Sequence, residues 1–539
     1  MKNLTFLFIV LFFTYYFNLT AQVTQQWVAR YNGPGNNVDQ ASAIAVDASG
    51  NVFVTGKSKN GWTKSNFDYA TVKYNSNGVQ QWVAIYNGPD DSIDVAVAIA
   101  LDAVGNVYVT GYSRGIGTYY DYATIKYNPA GIQQWVARYN GPANGTDMPV
   151  SIKVDGSGNV YVTGSSQNPA NFTSYATVKY NSSGVQQWAA RYDGYLSQAV
   201  ASVIDNAGNV YVTGDNFLST GKAVTVKFDS SGSQQWAKVY ANPGNNGYST
   251  GLVIDGAGNI YMSGYYFLSG YEFSTVKYNQ AGTQVWASGG HGGFTTGITI
   301  DASAILYVIG AAAGMGSGND YITEKIDSAG LQYWASNYNG PASANDVPQA
   351  VTADALGNVY VTGVSTGVGT NYDYATVKYN SSGVQQWVER YNGPGDSVDF
   401  ATAIAVDGAG NVYVTGYSYG NGTDFDYATI KYSQGPNGIQ NNSNNIPNKF
   451  ELEQNYPNPF NPSTKIRFQV PRLGAYRDTP LRLVVYDILG KEVATLVNEP
   501  LAPGSYEISF DASKLTSGLY FYKLISGTFT QTKKMVLLK

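Results

Sequence analysis

An all-β chain folded as an eight-bladed β-propeller, with seven blades as the alternative, is what the sequence predicts, and three observations predict it. Tryptophans recur at 27, 82, 135, 188, 236, 286, 334 and 387, a period near fifty that only Trp62 breaks. Between them the same phrases return in order, such as "AIAVDASGNVFVTG" (43–56), "DYATVKYN" (68–75) and "GVQQWVAIYNGP" (78–89). Composition agrees: charged residues are only 13%, while 61 Gly and 46 Tyr suit short strands joined by many turns.

Each phrase carries a strand period with two apolar faces. Val52 and Val54 alternate with Phe53 and Thr55, and Ala70 and Val72 with Thr71 and Lys73. Such strands need cover on both sides, which sheets packed face to face around an axis supply. The connections "DASGN" and "NSNG" offer Asp or Asn to open a turn and Gly for positive φ. The "GNVYVTG" and "ATVKY" phrases each occur eight times, counting the eroded "AILYVIG" (304–310) and "ITEKI" (322–326). The tryptophan strand also occurs eight times, offset by one place. "QQWVARYN" (25–32) has no partner before it, and the last "DYATIKY", ending at Tyr432, has no tryptophan strand after it. The two orphans are expected to pair, so Trp27 and Tyr432 mark a ring closed by the N-terminal strand. Closure removes two sheet edges that would otherwise template aggregation.

Four segments follow. Lys2 and a mostly apolar run from Leu4 to Leu19, ending in "NLTAQ", read as a secretory signal over 1–21, cut between Ala21 and Gln22. The propeller is expected over 22–432, and an Asn-, Gly- and Pro-rich linker over 433–449. A small immunoglobulin-like β-sandwich is expected over 450–539, where "KIRFQV", "RLVVYD", "SYEISF" and "GLYFYKLISG" alternate. No later apolar run approaches the length of a membrane helix, so no span is expected in the mature chain. The absence of cysteine excludes disulfides, thiolate metal sites and cysteine nucleophiles. Residues 22–449 carry 20 basic and 29 acidic side chains, a balance that disfavours nucleic acid as a partner.

The phrases "DYATVKYNSNGVQQWVAIYNGP" (68–89), "DYATIKYNPAGIQQWVARYNGP" (121–142) and "DYATVKYNSSGVQQWVERYNGP" (373–394) resemble the bacterial β-propeller repeats called SBBP repeats. That likeness covers about 25–432 and implies fold rather than activity; "ASGGHGGFTTG", after Trp286, departs from it. The C-terminal segment resembles the type A sorting domain of the type IX secretion system. The resemblance rests on "FELEQNYPNPFNPSTKIRFQV" (450–470), "VVYDILGKEVATLV" (484–497), "LTSGLYFYKLISG" (515–527) and "KKMVLLK" (533–539). It implies that 450–539 engages the type IX secretion machinery and that the protein is secreted or held at the cell surface, outside the outer membrane, of a Bacteroidetes-type bacterium.

Propeller topology puts the uniform A–B and C–D turns on one face and the variable B–C and D–A loops on the other, so contact belongs to the second face. Two acidic positions recur there: Asp39, Asp94, Asp147, Asp346 and Asp399 follow "NGP", and Asp68, Asp121, Asp320, Asp373 and Asp426 precede the "YA" or "YI" strand. Paired across a blade they offer oxygen ligands to Ca²⁺. The stronger expectation is that each accepts backbone N–H groups at a strand entry, with no cofactor. Trp62, Tyr119, Tyr120, Phe172, Phe217, Tyr265, Tyr266, Tyr271, Tyr372, Tyr419 and Phe425 are the candidate contacts for an extracellular glycan or protein, with packing within the loops the stronger expectation. Catalysis lacks material: His291 is the only histidine, and the propeller has three Glu residues, Glu272, Glu324 and Glu389. A non-enzymatic binding or scaffold protein is therefore expected. The competing readings are a polysaccharide-cleaving enzyme using loop Asp residues and a structural surface-layer protein.

Overall fold

In the computed structural model every pair of adjoining strands in the sheets is antiparallel, and the fold is all-β as expected. The structure describes residues 23–59, 66–194, 196–217, 221–240, 246–314, 316, 318–434, 440–441, 447–471, 481–499, 501, 503–512 and 515–538. The signal segment with Ala21 and Gln22, the loop that holds Trp62, and much of the linker lie outside them. Among the described residues no helix is long and apolar enough to cross a membrane.

Two compact units divide the described chain, one over Val23–Gln434 and one beginning at Gly435. The large unit contains eight four-stranded sheets. Seven are formed by consecutive strands; sheet 1, for example, runs Asp39–Val46, Val52–Lys59, Phe67–Tyr74 and Gln80–Tyr86. Sheet 8 takes Asp399–Val406, Val412–Tyr419 and Phe425–Ser433 from the end of the unit and Thr24–Tyr31 from its start. In that pairing Trp27 lies opposite Lys431, and Gln25 opposite Tyr432. The first strand of each sheet packs on the first strand of the next, and Asp399–Val406 packs on Asp39–Val46 in the same way.

Apolar residues on both faces of the middle strands explain this stacking. Val52, Val54, Ala70, Val72 and Tyr74 of sheet 1 form one core with Ala29, Tyr31, Tyr413 and Tyr427 of sheet 8. Inside six of the eight sheets, buried threonines meet as hydroxyl pairs, such as Thr55 with Thr71 at 2.9 Å and Thr415 with Thr429 at 2.9 Å. The pairs satisfy polar groups that burial would otherwise leave costly.

The recurrent tryptophan couples neighbouring sheets. Trp27 Nε1 donates to Ser76 O (3.1 Å), Trp82 to Pro129 O (3.2 Å), Trp135 to Ser182 O (3.2 Å) and Trp334 to Ser381 O (3.1 Å), each acceptor lying in the C–D turn of the next sheet. The strand lysines Lys431, Lys73, Lys126 and Lys325 donate to the same four carbonyls. Sheet 8 has no such turn, because its outer strand comes from the other end of the unit. Gln434 stands in: its Oε1 accepts from Trp387 Nε1 (3.4 Å) and Tyr360 Oη (3.3 Å), and its Nε2 donates to Gly410 O (2.6 Å). The compact unit thus extends two residues beyond Tyr432, into the stretch expected to be linker, because Ser433 still pairs with Thr24.

The C-terminal unit contains two four-stranded sheets, one ordered Gln440–Asn441, Gly504–Asp511, Ser463–Val470, Glu451–Leu452, the other Glu492–Glu499, Leu481–Tyr486, Gly518–Ser526, Phe529–Leu537. Ile466, Phe468, Ile508, Leu483, Val485, Tyr522, Leu524 and Met535 form a single core with residues from both.

Candidate functional site

The recurrent acidic residues have the partners that a strand entry requires. Asp39, Asp94, Asp147, Asp346 and Asp399 open the first strand of their sheets. Each accepts the backbone N–H of the preceding "NGP" glycine, Gly33, Gly88, Gly141, Gly340 or Gly393, at 2.5 to 2.7 Å. Asp121, Asp373 and Asp426, at the third strand, each accept from an arginine, Arg138, Arg390 or Arg30, at 2.8, 2.8 and 2.9 Å. The same guanidinium reaches the tyrosine of the preceding sheet, Tyr86, Tyr338 or Tyr391, at 3.0 Å. It also grips the second strand, where Arg30 donates to Ser418 Oγ (2.7 Å) and Ser418 O (2.8 Å). In sheet 1 the arginine position holds Ile85, and Asp68 is buried beside Ser58.

The first set thus accepts backbone N–H groups, as the stronger expectation had it, while Asp121, Asp373 and Asp426 of the third-strand set accept from an arginine side chain. Among the described residues no three carboxylate or imidazole side chains lie close enough to share a metal ion. Burial pushes the carboxyls of Asp94, Asp147 and Asp399 upward, and that of Asp39 up to about 6. The arginine was not singled out in the sequence, although it stands three residues after Trp27, Trp135, Trp188 and Trp387. Recurrence alone does not say which neighbour it meets.

The candidate aromatic residues fall into separate groups. Tyr119, 65% exposed, and Tyr120, packed edge-to-face on Tyr112 (5.1 Å), belong to sheet 2. Tyr372 and Tyr419 bracket a series on sheets 7 and 8, with Tyr372 on Phe400 (6.0 Å), Phe400 on Tyr417 (5.1 Å), Tyr417 on Phe425 (5.2 Å) and Phe425 on Tyr419 (5.5 Å). Tyr265 is the centre of a third group that crosses sheets 4, 5 and 6. It touches Tyr248 (5.2 Å), Tyr271 (5.5 Å) and Phe294 (6.2 Å), while Phe217 meets Tyr248 and Phe267 meets Tyr271. Phe217, Phe267, Leu268 and Tyr271 are exposed. Tyr266, next to Tyr265, is half-buried. Tyr248, Phe294, Phe400 and Tyr417 were missed in the sequence because they sit within strands, where aromatic residues read as core.

The third group coincides with loss of the polar rim. Where sheets 2, 3, 7 and 8 have Arg138, Arg191, Arg390 and Arg30, sheets 4, 5 and 6 have Val239, Gly289 and Asn337, and sheet 1 has Ile85. His291 also lies here, on the outer strand of sheet 5, with its Nδ1 against Glu324 Oε1 of sheet 6. Glu324 is buried where the other sheets place Val or Ile, such as Val72 and Val377, and burial pushes its carboxyl upward. Glu324 lies opposite Val308, and the His291 side chain is 41% exposed, so the pair joins a buried carboxyl of one sheet to a partly exposed imidazole of its neighbour.

Comparison with known proteins agrees with this architecture. The β-propeller repeat model (SBBP) matches residues 26–68, 134–173 and 386–423, and the secretion system C-terminal sorting domain model matches 454–538. No curated protein matches the chain. Among solved structures, Sqt1 of Chaetomium thermophilum is similar over 76% of this chain and 98% of its own, at 9% identity and a TM-score of 0.50. The β-propeller domain of the Trilobed protease from Pyrococcus furiosus aligns over 63% of this chain and 96% of its own, at 7% identity and a TM-score of 0.39. A polysaccharide lyase of family PL25, an ulvan lyase, aligns over 60% and 90%, at 12% identity and a TM-score of 0.39. The likeness to Sqt1, at 9% identity, concerns fold alone. The chain carries SBBP-type β-propeller repeats and, over 454–538, a type IX secretion-system C-terminal sorting domain, which marks it for secretion or cell-surface attachment.

Proposed function

We propose that the large unit is a closed eight-bladed propeller that acts outside the cell as a non-enzymatic binding or scaffold module, using its loop face for contact. Closure is supported by the pairing of Thr24–Tyr31 with Phe425–Ser433 and by the packing of the eighth sheet on the first. The observation that carries the binding reading is the asymmetry of the loop face. Over sheets 7, 8 and 2 an arginine holds the third-strand Asp, and the joined series on sheets 7 and 8 ends in one exposed ring, Tyr419; sheets 4 to 6 lack that arginine, and their joined group includes three exposed rings, Phe217, Phe267 and Tyr271. Exposed aromatic surface of that kind marks interaction sites, because ring faces give large contact area at low entropic cost.

The enzymatic alternative has weaker support. A glycosidase pair needs carboxyls that reach substrate, yet Asp373 and Asp426 are buried and ion-paired. An unbiased pull-down and glycan screen with the purified chain tests the proposal. The expected outcome is a ligand lost on Phe217→Ala with Tyr271→Ala and kept on Tyr119→Ala. Polysaccharide turnover abolished by Asp373→Asn or Asp426→Asn would establish the enzyme instead. Empty screens together with ordered self-assembly would establish a surface-layer protein.

A further inference from the structure

The hairpin joining Leu481–Tyr486 to Glu492–Glu499 closes with a turn that this chain uses repeatedly. Asp487 N donates to Lys491 O (2.9 Å), Gly490 N to Asp487 O (3.1 Å), and Leu489 N and Lys491 N both to Asp487 Oδ1 (2.9 Å). Among the described residues, fifteen A–B and C–D turns of the propeller share those two backbone bonds. Their paired tip positions are occupied by residues such as Ala48 and Ser49, Ser182 and Ser183, or Gly408 and Ala409. Only Val104 and Leu356 supply a branched aliphatic side chain at any of them.

The turn itself therefore asks for no apolar bulk at its tip. The sorting domain nevertheless places Ile488 and Leu489 there, 67% and 87% exposed. Side chains so exposed gain nothing from folding, and adjacent large apolar groups in water favour association. Around them the hairpin is polar, with Asp487, Lys491 and the Arg482–Glu492 ion pair (3.4 Å). An apolar centre inside a polar rim is the anatomy of a protein contact.

Resting on the export reading of 450–539, we propose that Ile488 and Leu489 are the point at which the secretion machinery takes hold of this domain, seating in an apolar pocket of a machinery component. The sorting-domain match identifies the kind of partner, and the turn comparison identifies the surface.

The test uses the full chain in a host with a type IX secretion system, measuring the amount outside the cell or on its surface and the melting temperature of each purified variant. Ile488→Ser with Leu489→Ser should lower export about tenfold or more, the size expected when a buried contact anchor is removed, and leave melting unchanged because both side chains face water. Leu489→Asn alone carries the question if the double variant is unstable. Tyr456→Ser is the contrast, since Tyr456 is also exposed, at 80%, but lies elsewhere on the domain. Normal export of a folded tip variant overturns the proposal. So does loss of export in Tyr456→Ser alone, or a tip variant that loses only self-association. Export persisting after removal of 450–539 would instead refute the address itself.

Discussion

Asp39 and Asp215 are carboxylic acids enclosed by protein, and burial pushes both up to about 6 although each accepts a backbone N–H, Asp39 from Gly33 and Asp215 from Ser249. Both folded-state values exceed the unfolded one, so between about pH 4 and pH 6 the folded chain binds more protons than the unfolded chain. Their stabilisation is complete below that window and lost as pH rises through it, by roughly 1–3 kcal/mol per site. Asp102, Asp155 and Asp255 work in the opposite sense, held low by Asn and backbone donors, so their contribution is lost only as pH falls below about 4. Urea melts at pH 4, 5 and 6.5 should show Asp39→Asn abolishing its share of the decline. An unchanged slope in that variant would refute the assignment. At this scale the sequence was partly legible. The fixed offset of each Asp from "NGP" announced a strand-entry role, but the arginine partner of Asp121, Asp373 and Asp426 depends on which strands become neighbours.

Between elements, the repeated device is the indole seated on the next turn. Gly78 has φ 80°, and a Cβ there would lie 2.6 Å from the Trp27 ring. Gly410 has the same φ in a turn of the same type with nothing within 4 Å. Alanine at Gly410 should therefore cost only the backbone term, about 1 kcal/mol, whereas alanine at Gly78 adds overpacking of roughly 1–3 kcal/mol. Thermal melts of the two variants give the comparison, and equal losses would mean that the close approach carries no energy. The "N-x-x-G" and "D-x-x-G" phrases revealed the turns beforehand. That one set of glycines lies under a tryptophan, and the other does not, required the stacking of the sheets.

For the large unit as a whole, sheet 8 is the one place where a four-stranded sheet depends on strands from both ends of the unit. Removing residues 23–33 strips the outer strand from sheet 8 together with Trp27 and Arg30, and should lower the melting temperature and open the unit to protease. Gln434→Ala removes a substitute for a missing turn and should cost about 1–2 kcal/mol. Unchanged melting and protease resistance in both would show that the ends are not structurally joined.

The sequence by itself determined the strand period, the turn chemistry, the pairing of the orphan phrases and the presence of two units. Each of these is written in local spacing or in exact recurrence. The tertiary structure alone decided that Gln434 substitutes for a C–D turn, that Glu324 meets His291, and that Phe217, Tyr248, Tyr265, Tyr271 and Phe294 join across three sheets. Those contacts link residues tens of positions apart that share no motif. Their proximity follows from how neighbouring sheets pack, a property of the assembled unit that no single repeat encodes.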